Sequence, residues 1–253
     1  MASSRVAHNL RLCLLSRSAS HGVLAYNEGM KIQHQRGIYS KSILYIILAA
    51  FAAGFGLWAA QYWMAKPQGK PAIVLQTVRL FSQAREIPDF ALQSADGKLV
   101  NKASLSKHWT LVFLGFTHCP DVCPTTLGNM AKAQKIWQTL PDSTRPRLLF
   151  VSVDPERDTT KAIAEYAAFF HPDTLTATAQ EPALGNFAQS LALVYAKVPM
   201  ENGDYTMDHS STIVVLDPQG NEVGIIRPPF MPEKIAADLI ALSKNGPNSV
   251  KTP

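Results

Sequence analysis

The hydrophobic pattern of the chain begins with one long apolar run and continues as short apolar segments separated by polar ones. Residues 43–64 carry no charged side chain and have the length of a helix that crosses a bilayer. Trp58, Tyr62 and Trp63 lie near the end of this run, where aromatic rings favour the membrane interface. The run predicts a transmembrane anchor. A cleaved signal peptide is the alternative, but its apolar core would be shorter and would end in small residues.

Beyond the anchor, the pattern predicts a linker over residues 65–80, a globular domain over 81–246 and a tail over 247–253. The stretch AKPQGKPAIV has the Pro, Gly and Lys content of a linker, and periodic sequence starts near Leu80. The pair Asp96-Gly97 between two short apolar segments predicts an opening β-hairpin, whose second arm is expected to reach Leu105.

The rest of the domain alternates between apolar runs typical of buried strands and segments of helical periodicity. Strands are expected at 110–116, 148–153, near 175, at 212–216 and at 222–226. Helices are expected from the Cys-rich turn after the first of these strands to about 140, at 159–170, at 182–193 and from about 232 to 244. This alternation predicts an α/β fold with a mainly parallel sheet. Two cysteines between the first buried strand and its helix favour a thioredoxin-like fold, with the hairpin as an N-terminal extension and one transmembrane helix before it.

Charge is distributed unevenly and excludes nucleic acid as a partner. Residues 1–66 contain seven basic side chains against Glu28 alone, a net charge of +6, while the whole chain carries +5. The folded part is therefore close to neutral, and it has no basic stripe interleaved with aromatic residues.

The basic N-terminal segment, residues 1–42, leaves two locations open. A chain starting at Met30 would already be a complete bacterial signal anchor, so residues 1–29 are explained by a wrongly assigned start codon. We expect a single-pass protein of the bacterial inner membrane with its domain in the periplasm. The alternative is a mitochondrial transit peptide followed by an inner-membrane anchor, with the domain in the intermembrane space, because residues 1–29 are rich in Ser and Arg and poor in acids.

Two cysteines in FTHCPDVCP are the strongest chemical signal. If the helix begins there, Cys119 and Cys123 are four residues apart on one helix face, about 5–6 Å between Cβ atoms, and can share a metal ion. A helix N-terminus also favours thiolate over thiol. The competing interpretation is a structural disulfide, but so small a loop would stabilise the fold little. Cys13 lies outside this motif and is interpreted as an incidental thiol.

Two thiolates make an incomplete metal site, so a third ligand is expected from a distant segment. His209 is the candidate, because it precedes the strand 212–216 and a loop there can present its imidazole over the cysteines. A lone histidine is more often a surface or satisfied core residue, so this assignment depends on the cysteine pair.

Three motifs in this order after a membrane anchor resemble the Sco/SenC family of copper proteins: FTHCPDVCP, VSVDPERDT at 151–159 and MDHSS at 207–211. The resemblance covers about residues 81–244. It implies that Cys119, Cys123 and His209 bind copper. It also implies a role at the binuclear copper site of cytochrome c oxidase subunit II, either delivering copper to that site or reducing its cysteines.

Ligand chemistry agrees with copper but does not exclude zinc. Two soft thiolates and one imidazole suit Cu(I). A Cys2His set with an open position is also a catalytic zinc arrangement. An open, low-coordinate site allows a partner thiolate to join before a protein ligand leaves, so transfer need not pass through free ion.

Three functions remain to be separated. The first is a copper metallochaperone, which binds and transfers without turnover. The second is a thiol-disulfide oxidoreductase in which Cys119 and Cys123 exchange with a client disulfide. Copper binding requires His209, whereas dithiol exchange tolerates its loss. A peroxidase, suggested by Cys123-Pro124-Thr125, ranks last because the upstream Pro and Thr of that motif are missing.

Neighbouring residues receive minor assignments. Asp121 and Asp208 are expected near the metal or as solvated turn residues. Asp154, Arg157 and Asp158 are expected to form a turn, a helix cap and a local ion pair. His118 is expected to point away from the cysteines.

Overall fold

The computed structural model of the chain describes residues 39–64, 73–201, 203–247 and 250–251. The chain forms two compact units, residues 1–67 and 68–253, here called the anchor unit and the globular unit. Cys13, the basic segment up to residue 38 and the predicted linker up to residue 72 lie outside the described residues.

The anchor unit is described as one helix, α1 (Tyr39–Met64). Its segment Lys41–Met64 is long and apolar enough to cross a membrane, and none of its most apolar stretch is buried within the protein. Apolar side chains therefore cover the whole circumference of the helix, which is the surface that lipid accommodates and water does not. The helix begins four residues before the predicted span of 43–64 and ends at the same residue.

The globular unit contains five described helices and twelve described strands. The helices are α2 (Lys102–Leu105), α3 (Val122–Trp137), α4 (Thr160–Phe170), α5 (Ala183–Ser190) and α6 (Pro232–Asn245). The strands are β1 (Ile73–Val74), β2 (Arg79–Arg85), β3 (Leu92–Gln93), β4 (Leu99–Val100), β5 (Thr110–Gly115), β6 (Arg147–Ser152), β7 (Leu175–Ala177), β8 (Tyr195–Pro199), β9 (Tyr205–His209), β10 (Ile213–Leu216), β11 (Glu222–Ile226) and β12 (Val250–Lys251).

The main sheet has six strands in the order β2-β11-β10-β5-β6-β7. β5, β6 and β7 are parallel, whereas β10 runs antiparallel to both β5 and β11, and β11 antiparallel to β2. The expectation of a mainly parallel sheet was wrong for the half that contains β2, β11 and β10. The short turn after Leu216 allows only an antiparallel pairing of β10 with β11. All six residues of β5 are buried, as its uninterrupted apolar sequence predicts.

The predicted opening hairpin is present, but its second arm is shorter than expected. β3 pairs antiparallel with β4, and Gly97 at the turn has a φ of +77°, a conformation that glycine adopts without steric cost. The chain then enters α2 at Lys102 instead of continuing as a strand to Leu105. Asn101 and Ser104 form a reciprocal capping box at the start of that helix, which satisfies backbone N–H groups and stops the strand.

The ordered core includes residues ahead of Phe81. Leu75 and Val78 are fully buried, although they fall in the segment assigned to a linker from sequence. The buried carboxylate of Asp238 in α6 holds this segment by accepting hydrogen bonds from the backbone N–H groups of residues 76–78 at 2.7–3.0 Å and from the hydroxyl of Thr77 at 2.7 Å. The edge strand β2 follows directly.

One hairpin stands outside the main sheet. β8 and β9 pair only with each other among the described strands, in the register Tyr195↔His209 to Pro199↔Tyr205. At its base, the backbone N–H of Ser210 donates to the carbonyl of Val194 at 2.9 Å. This hairpin carries His209 as the last residue of β9.

Candidate metal centre

Three side chains from two distant parts of the sequence meet near the carboxyl end of β5, an interior strand of the main sheet. The sulfurs of Cys119 and Cys123 and an imidazole nitrogen of His209 all lie within 4.8 Å of one another. They form the one group of three or more His, Cys, Asp or Glu residues with metal-binding geometry in the described part of the chain. A metal about 2.0–2.3 Å from each of three ligands in a plane separates those ligands by about 4 Å, so the spacing fits a shared ion.

The two cysteines lie on either side of the start of α3. The helix begins at Val122, so Cys123 is in its first turn and Cys119 is in the preceding loop. The backbone N–H of Cys123 donates to the sulfur of Cys119 at 3.4 Å. The sulfurs are therefore brought together by a loop that folds over the helix end, and not by i, i+4 stacking on one helix face as the sequence suggested. Both cysteines are free thiols.

Gly115, the last residue of β5, leaves room for the buried sulfur. A Cβ atom at this position would lie 2.5 Å from Cε2 of Phe150 and 2.9 Å from the sulfur of Cys123. Both distances are shorter than van der Waals contact, so any larger residue would displace the Phe150 ring and the sulfur of Cys123. A strand ending in glycine is thus a structural requirement of the site.

Asp158 holds the loop that carries Cys119. Its buried carboxylate accepts hydrogen bonds from the backbone N–H of Thr117 at 2.9 Å, from the hydroxyl of Thr117, and from the hydroxyl of Ser152 at 2.6 Å. The ring of His118 lies 3.5 Å from the same carboxylate, which turns it away from the sulfurs as expected. These bonds link the cysteine loop to the end of β6.

His209 is fixed in the orientation that a metal ligand needs. Its Nδ1 atom lies 3.1 Å from the carbonyl oxygen of Ser210, and its Nε2 atom lies 3.4 Å from the sulfur of Cys123. Because a carbonyl can only accept, Nδ1 carries the proton and the lone pair of Nε2 faces the sulfurs. The rings of Phe113 and Phe116 contact the imidazole edge-on. The sequence placed this residue in a loop, whereas it ends a strand.

Burial controls the protonation of the site. It raises the pKa of the Cys123 thiol far above its ordinary value, and the neighbouring Cys119 adds to the shift. Burial also lowers the pKa of His209, against the smaller opposing effect of its hydrogen bond to Ser210. The expectation that the helix N-terminus makes Cys123 a thiolate was wrong for the metal-free protein, because loss of solvation disfavours the anion more strongly. At neutral pH the site therefore holds a thiol and a neutral imidazole.

Metal binding is expected to depend on pH with a defined sign. Since Cys123 must lose its proton to become a ligand, binding of Cu(I) at pH 7 should release at least one proton per metal, and the apparent Kd should fall about tenfold per pH unit for each proton released. His209 is already neutral and should add nothing to the slope at this pH. Calorimetric titration in buffers of different ionisation enthalpy measures the release. A Cys123→Ser variant is the control, and absence of proton release by the wild type would contradict the prediction.

The neighbouring acidic side chains lie outside the group of three potential ligands. Asp121 and Asp208 are exposed, and neither belongs to the metal-binding group. Met207 is buried and belongs to the hydrophobic core. The predicted ion pair between Asp154 and Arg157 is present at 2.6 Å.

The helix cap predicted in the same segment is provided by a different residue. Thr159, and not one of the aspartates, caps α4 by accepting a hydrogen bond from the N–H of Ala162.

Comparison with known proteins identifies the family. The globular unit matches the sequence model of the SCO1/SenC family over residues 80–244. The chain belongs to this family. The motifs that suggested the resemblance therefore lie in a homologous context, and the predicted thioredoxin-like α/β fold is confirmed by structural neighbours of this family.

Individual relatives cover the globular unit to different extents. Protein SCO2 homolog, mitochondrial, of Mus musculus is 35% identical over 178 residues, which are 69% of this chain and 68% of that protein. Protein SCO1 homolog 1, mitochondrial, of Arabidopsis thaliana is 38% identical over 135 residues, 53% of this chain and only 40% of its own length. The structure of Bradyrhizobium japonicum ScoI with copper bound is 36% identical, has a TM-score of 0.56 and covers 61% of this chain and 97% of its own. This SCO1/SenC protein thus has both mitochondrial and bacterial relatives.

Proposed function

We propose that this SCO1/SenC protein is a copper metallochaperone that holds one copper ion between Cys119, Cys123 and His209. The observation that carries the proposal is the convergence of two sulfurs and one correctly oriented imidazole nitrogen within 4.8 Å. The copper-bound structure of the 36% identical Bradyrhizobium japonicum protein supports copper as the metal. Soft thiolates favour Cu(I) over harder cations, and three ligands suffice for it.

The proposed client is subunit II of cytochrome c oxidase, at its binuclear copper site. The Sco family is linked to assembly of this oxidase, and one solved relative is described as a member of the Sco family of cytochrome c oxidase assembly proteins. A site with three protein ligands leaves copper a free coordination position. An incoming ligand of the client can occupy that position before a ligand of this protein leaves, so the ion stays bound throughout.

The second candidate function is reduction of the client's cysteines. Cys119 and Cys123 are free thiols with sulfurs within 4.8 Å, close enough to form a disulfide after a small movement. In this reaction the two thiols would become a disulfide, the client disulfide would become two thiols, and two electrons and two protons would pass to the client. His209 has no part in that exchange.

A paired transfer experiment separates the two functions. The full chain in detergent micelles is loaded with one Cu(I) and mixed with the metal-free, reduced copper domain of subunit II; in parallel, the metal-free reduced chain is mixed with the same domain carrying a disulfide. Metal on each protein is counted after separation, and free thiols are counted by alkylation. We expect copper to move to the client. Failure to bind or transfer copper, together with reduction of the client disulfide, would replace the chaperone by the reductase.

Zinc provides the matched control for metal identity. With Cu(I) and Zn²⁺ presented together under buffered conditions, we expect one copper per chain and little zinc. Preferential zinc binding would contradict the proposal.

For location, we propose a single-pass protein of the bacterial inner membrane with the globular unit in the periplasm. The alternative is the mitochondrial inner membrane with the globular unit in the intermembrane space. Accessibility of Cys119 to a membrane-impermeant thiol reagent in intact spheroplasts tests the bacterial orientation.

A further inference from the structure

The hairpin that carries His209 is tied to the segment 154–157 by a compact group of charged and aromatic side chains. This group, here called the clasp, consists on one side of Asp154, Glu156 and Arg157, and on the hairpin of Lys197, Asp204 and Tyr205. The clasp residues of β9 lie at its start, and His209 lies at its end.

Arg157 makes the central contacts of the clasp. Its Nε atom donates to the Oδ2 atom of Asp154 at 2.6 Å, and its Nη1 atom donates to the backbone carbonyl of Tyr205 at 3.0 Å and lies 3.3 Å from the carboxylate of Asp204. The Asp154 carboxylate also accepts the hydroxyl hydrogen bond of Tyr205 at 2.8 Å. One carboxylate and one guanidinium therefore fix both the backbone and the side chain of Tyr205.

Two cationic side chains contact the ring of Tyr205. The guanidinium carbon of Arg157 lies 3.7 Å from the ring centroid and the ammonium of Lys197 lies 3.8 Å from it. Burial and the bond to Asp154 raise the pKa of Tyr205 to about 12, so its hydroxyl remains a donor throughout the physiological range.

The inner part of the clasp is shielded from water and the outer part is not. The side chains of Asp154 and Arg157 are 2% and 20% exposed, whereas those of Lys197 and Glu156 are 44% and 64% exposed. Hydrogen bonds between charged groups are stronger where water is excluded, and exposed pairs contribute little. The contacts that hold the hairpin are therefore those of Asp154 and Arg157 with Tyr205.

The position of His209 depends on where this hairpin is held. β8 and β9 pair with no other described strand, so the orientation of the hairpin depends on its side-chain contacts and not on pairing with the main sheet. The hairpin is held at the start of β9 by the clasp, and near its base by Tyr195, which pairs with His209 and whose hydroxyl donates to Glu181. Tyr205 and His209 are four residues apart on one extended strand, about 13 Å, so rotation of one end moves the other.

The same segment also holds the cysteines. Asp158, which directly follows Arg157, binds Thr117 in the loop that carries Cys119. A single turn of five residues, 154–158, thus contacts both segments that supply metal ligands. A change in that turn would alter the distance between the imidazole nitrogen and the sulfurs.

We propose that Arg157 and Tyr205 are positioning residues, which hold the hairpin so that the Nε2 atom of His209 completes the copper site. This inference rests on the proposed three-ligand copper site. Neither residue touches the metal, and each acts only through His209.

A double-mutant cycle on the full chain in detergent micelles tests this dependence. Cu(I) affinity is measured against a competing chelator for the wild type, Arg157→Ala, His209→Ala and the double variant, and the sulfur and imidazole ligands are counted by X-ray absorption. We expect Arg157→Ala to weaken binding about 10–100-fold, the range typical of outer-shell partners, and to reduce the imidazole signal. In the His209→Ala background the same change should have no further effect.

Two further variants make the result specific. Tyr205→Phe keeps the contacts of the ring with Arg157 and Lys197 and removes only the bond to Asp154, so a loss of a fewfold is expected. This variant carries the test if Arg157→Ala does not fold. Arg145→Ala is the matched control, because Arg145 forms a similar i, i+3 pair with Asp142 at 2.7 Å, just ahead of the start of β6. It should leave copper affinity and the ligand set unchanged.

Each outcome has a distinct meaning. Wild-type affinity and an intact imidazole signal in folded Arg157→Ala and Tyr205→Phe would overturn the inference. An equal loss of affinity in both backgrounds would also overturn it, since Arg157 would then act on the sulfurs. Two other results would overturn the proposed copper site itself: failure of the wild type to bind copper, or full affinity in the single variant His209→Ala. Both are measured without any substitution in the clasp, so they are distinguished from failure of the inference.

Discussion

Replacing His209 by alanine should weaken Cu(I) binding by the full chain more than a hundredfold while leaving the fold intact. The imidazole is one of three ligands, and its removal costs more than the 10–100-fold that loss of an outer-shell partner typically costs. The two sulfurs remain, so weak binding with altered geometry is expected instead of none. The fold should persist, because the ring makes edge contacts with Phe113 and Phe116, a hydrogen bond to its own neighbour and one weak contact with the sulfur of Cys123.

The measurement is a Cu(I) titration under a competing chelator, with metal counted per chain and folding checked by circular dichroism. His118→Ala is the matched control, since this histidine adjoins Cys119 but is turned toward Asp158. Its affinity should stay within about threefold of the wild type, a difference of less than 1 kcal/mol. Equal losses in both variants would show that the effect of His209→Ala is not one of ligation.

Replacing Asp238 by alanine should lower the free energy of unfolding of the globular unit by about 3–5 kcal/mol. This carboxylate is 3% exposed and accepts four hydrogen bonds from the segment 76–78, three of them from backbone N–H groups. Alanine leaves those donors without this partner. Val78 is buried and Thr77 partly buried, and each donor orphaned away from water carries a desolvation cost. The loss is a large fraction of the stability of an ordinary domain.

Chemical denaturation of the chain in detergent, followed by the fluorescence of the buried Trp109 and Trp137, measures this change. Asp238→Asn keeps one acceptor oxygen and should lose less. Asp142→Ala serves as the control at an exposed ion pair and should change stability by no more than about 0.5–1 kcal/mol. Copper affinity of folded Asp238→Ala should equal that of the wild type; a parallel loss would show that the segment 76–78 supports the metal site.

The sequence was sufficient for the elements whose apolar pattern is continuous. β5 and β6 were predicted to within two residues because every position of β5 and nearly every position of β6 is buried, and α4 and α6 because their apolar faces repeat with helical spacing. The three proposed ligands were predicted as a set, and the structure brings them together.

Strands that depend on pairing with distant segments were not predicted from the sequence. β2 has the polar sequence RLFSQAR and is mostly exposed, and it becomes a strand only because the edge of β11 pairs with it. β8 ends in a proline and has a weak burial pattern, so nothing local distinguishes it from a loop. The protonation of Cys123 was also mispredicted: helix position can be read from spacing, but complete burial of a sulfur follows from tertiary packing.

The two sulfurs differ in exposure, and this difference decides which of them would react first in thiol-disulfide exchange. Cys123 is completely buried beneath Gly115 and the aromatic rings, whereas Cys119 is half-buried in the loop above it. In an exchange with a client disulfide, the more exposed Cys119 thiolate would attack one client sulfur, forming a mixed disulfide and releasing the other client sulfur as a thiolate. Cys123 would then attack the sulfur of Cys119, closing the internal disulfide and releasing the client's second sulfur as a thiolate; until that step, its burial would limit over-oxidation and alkylation.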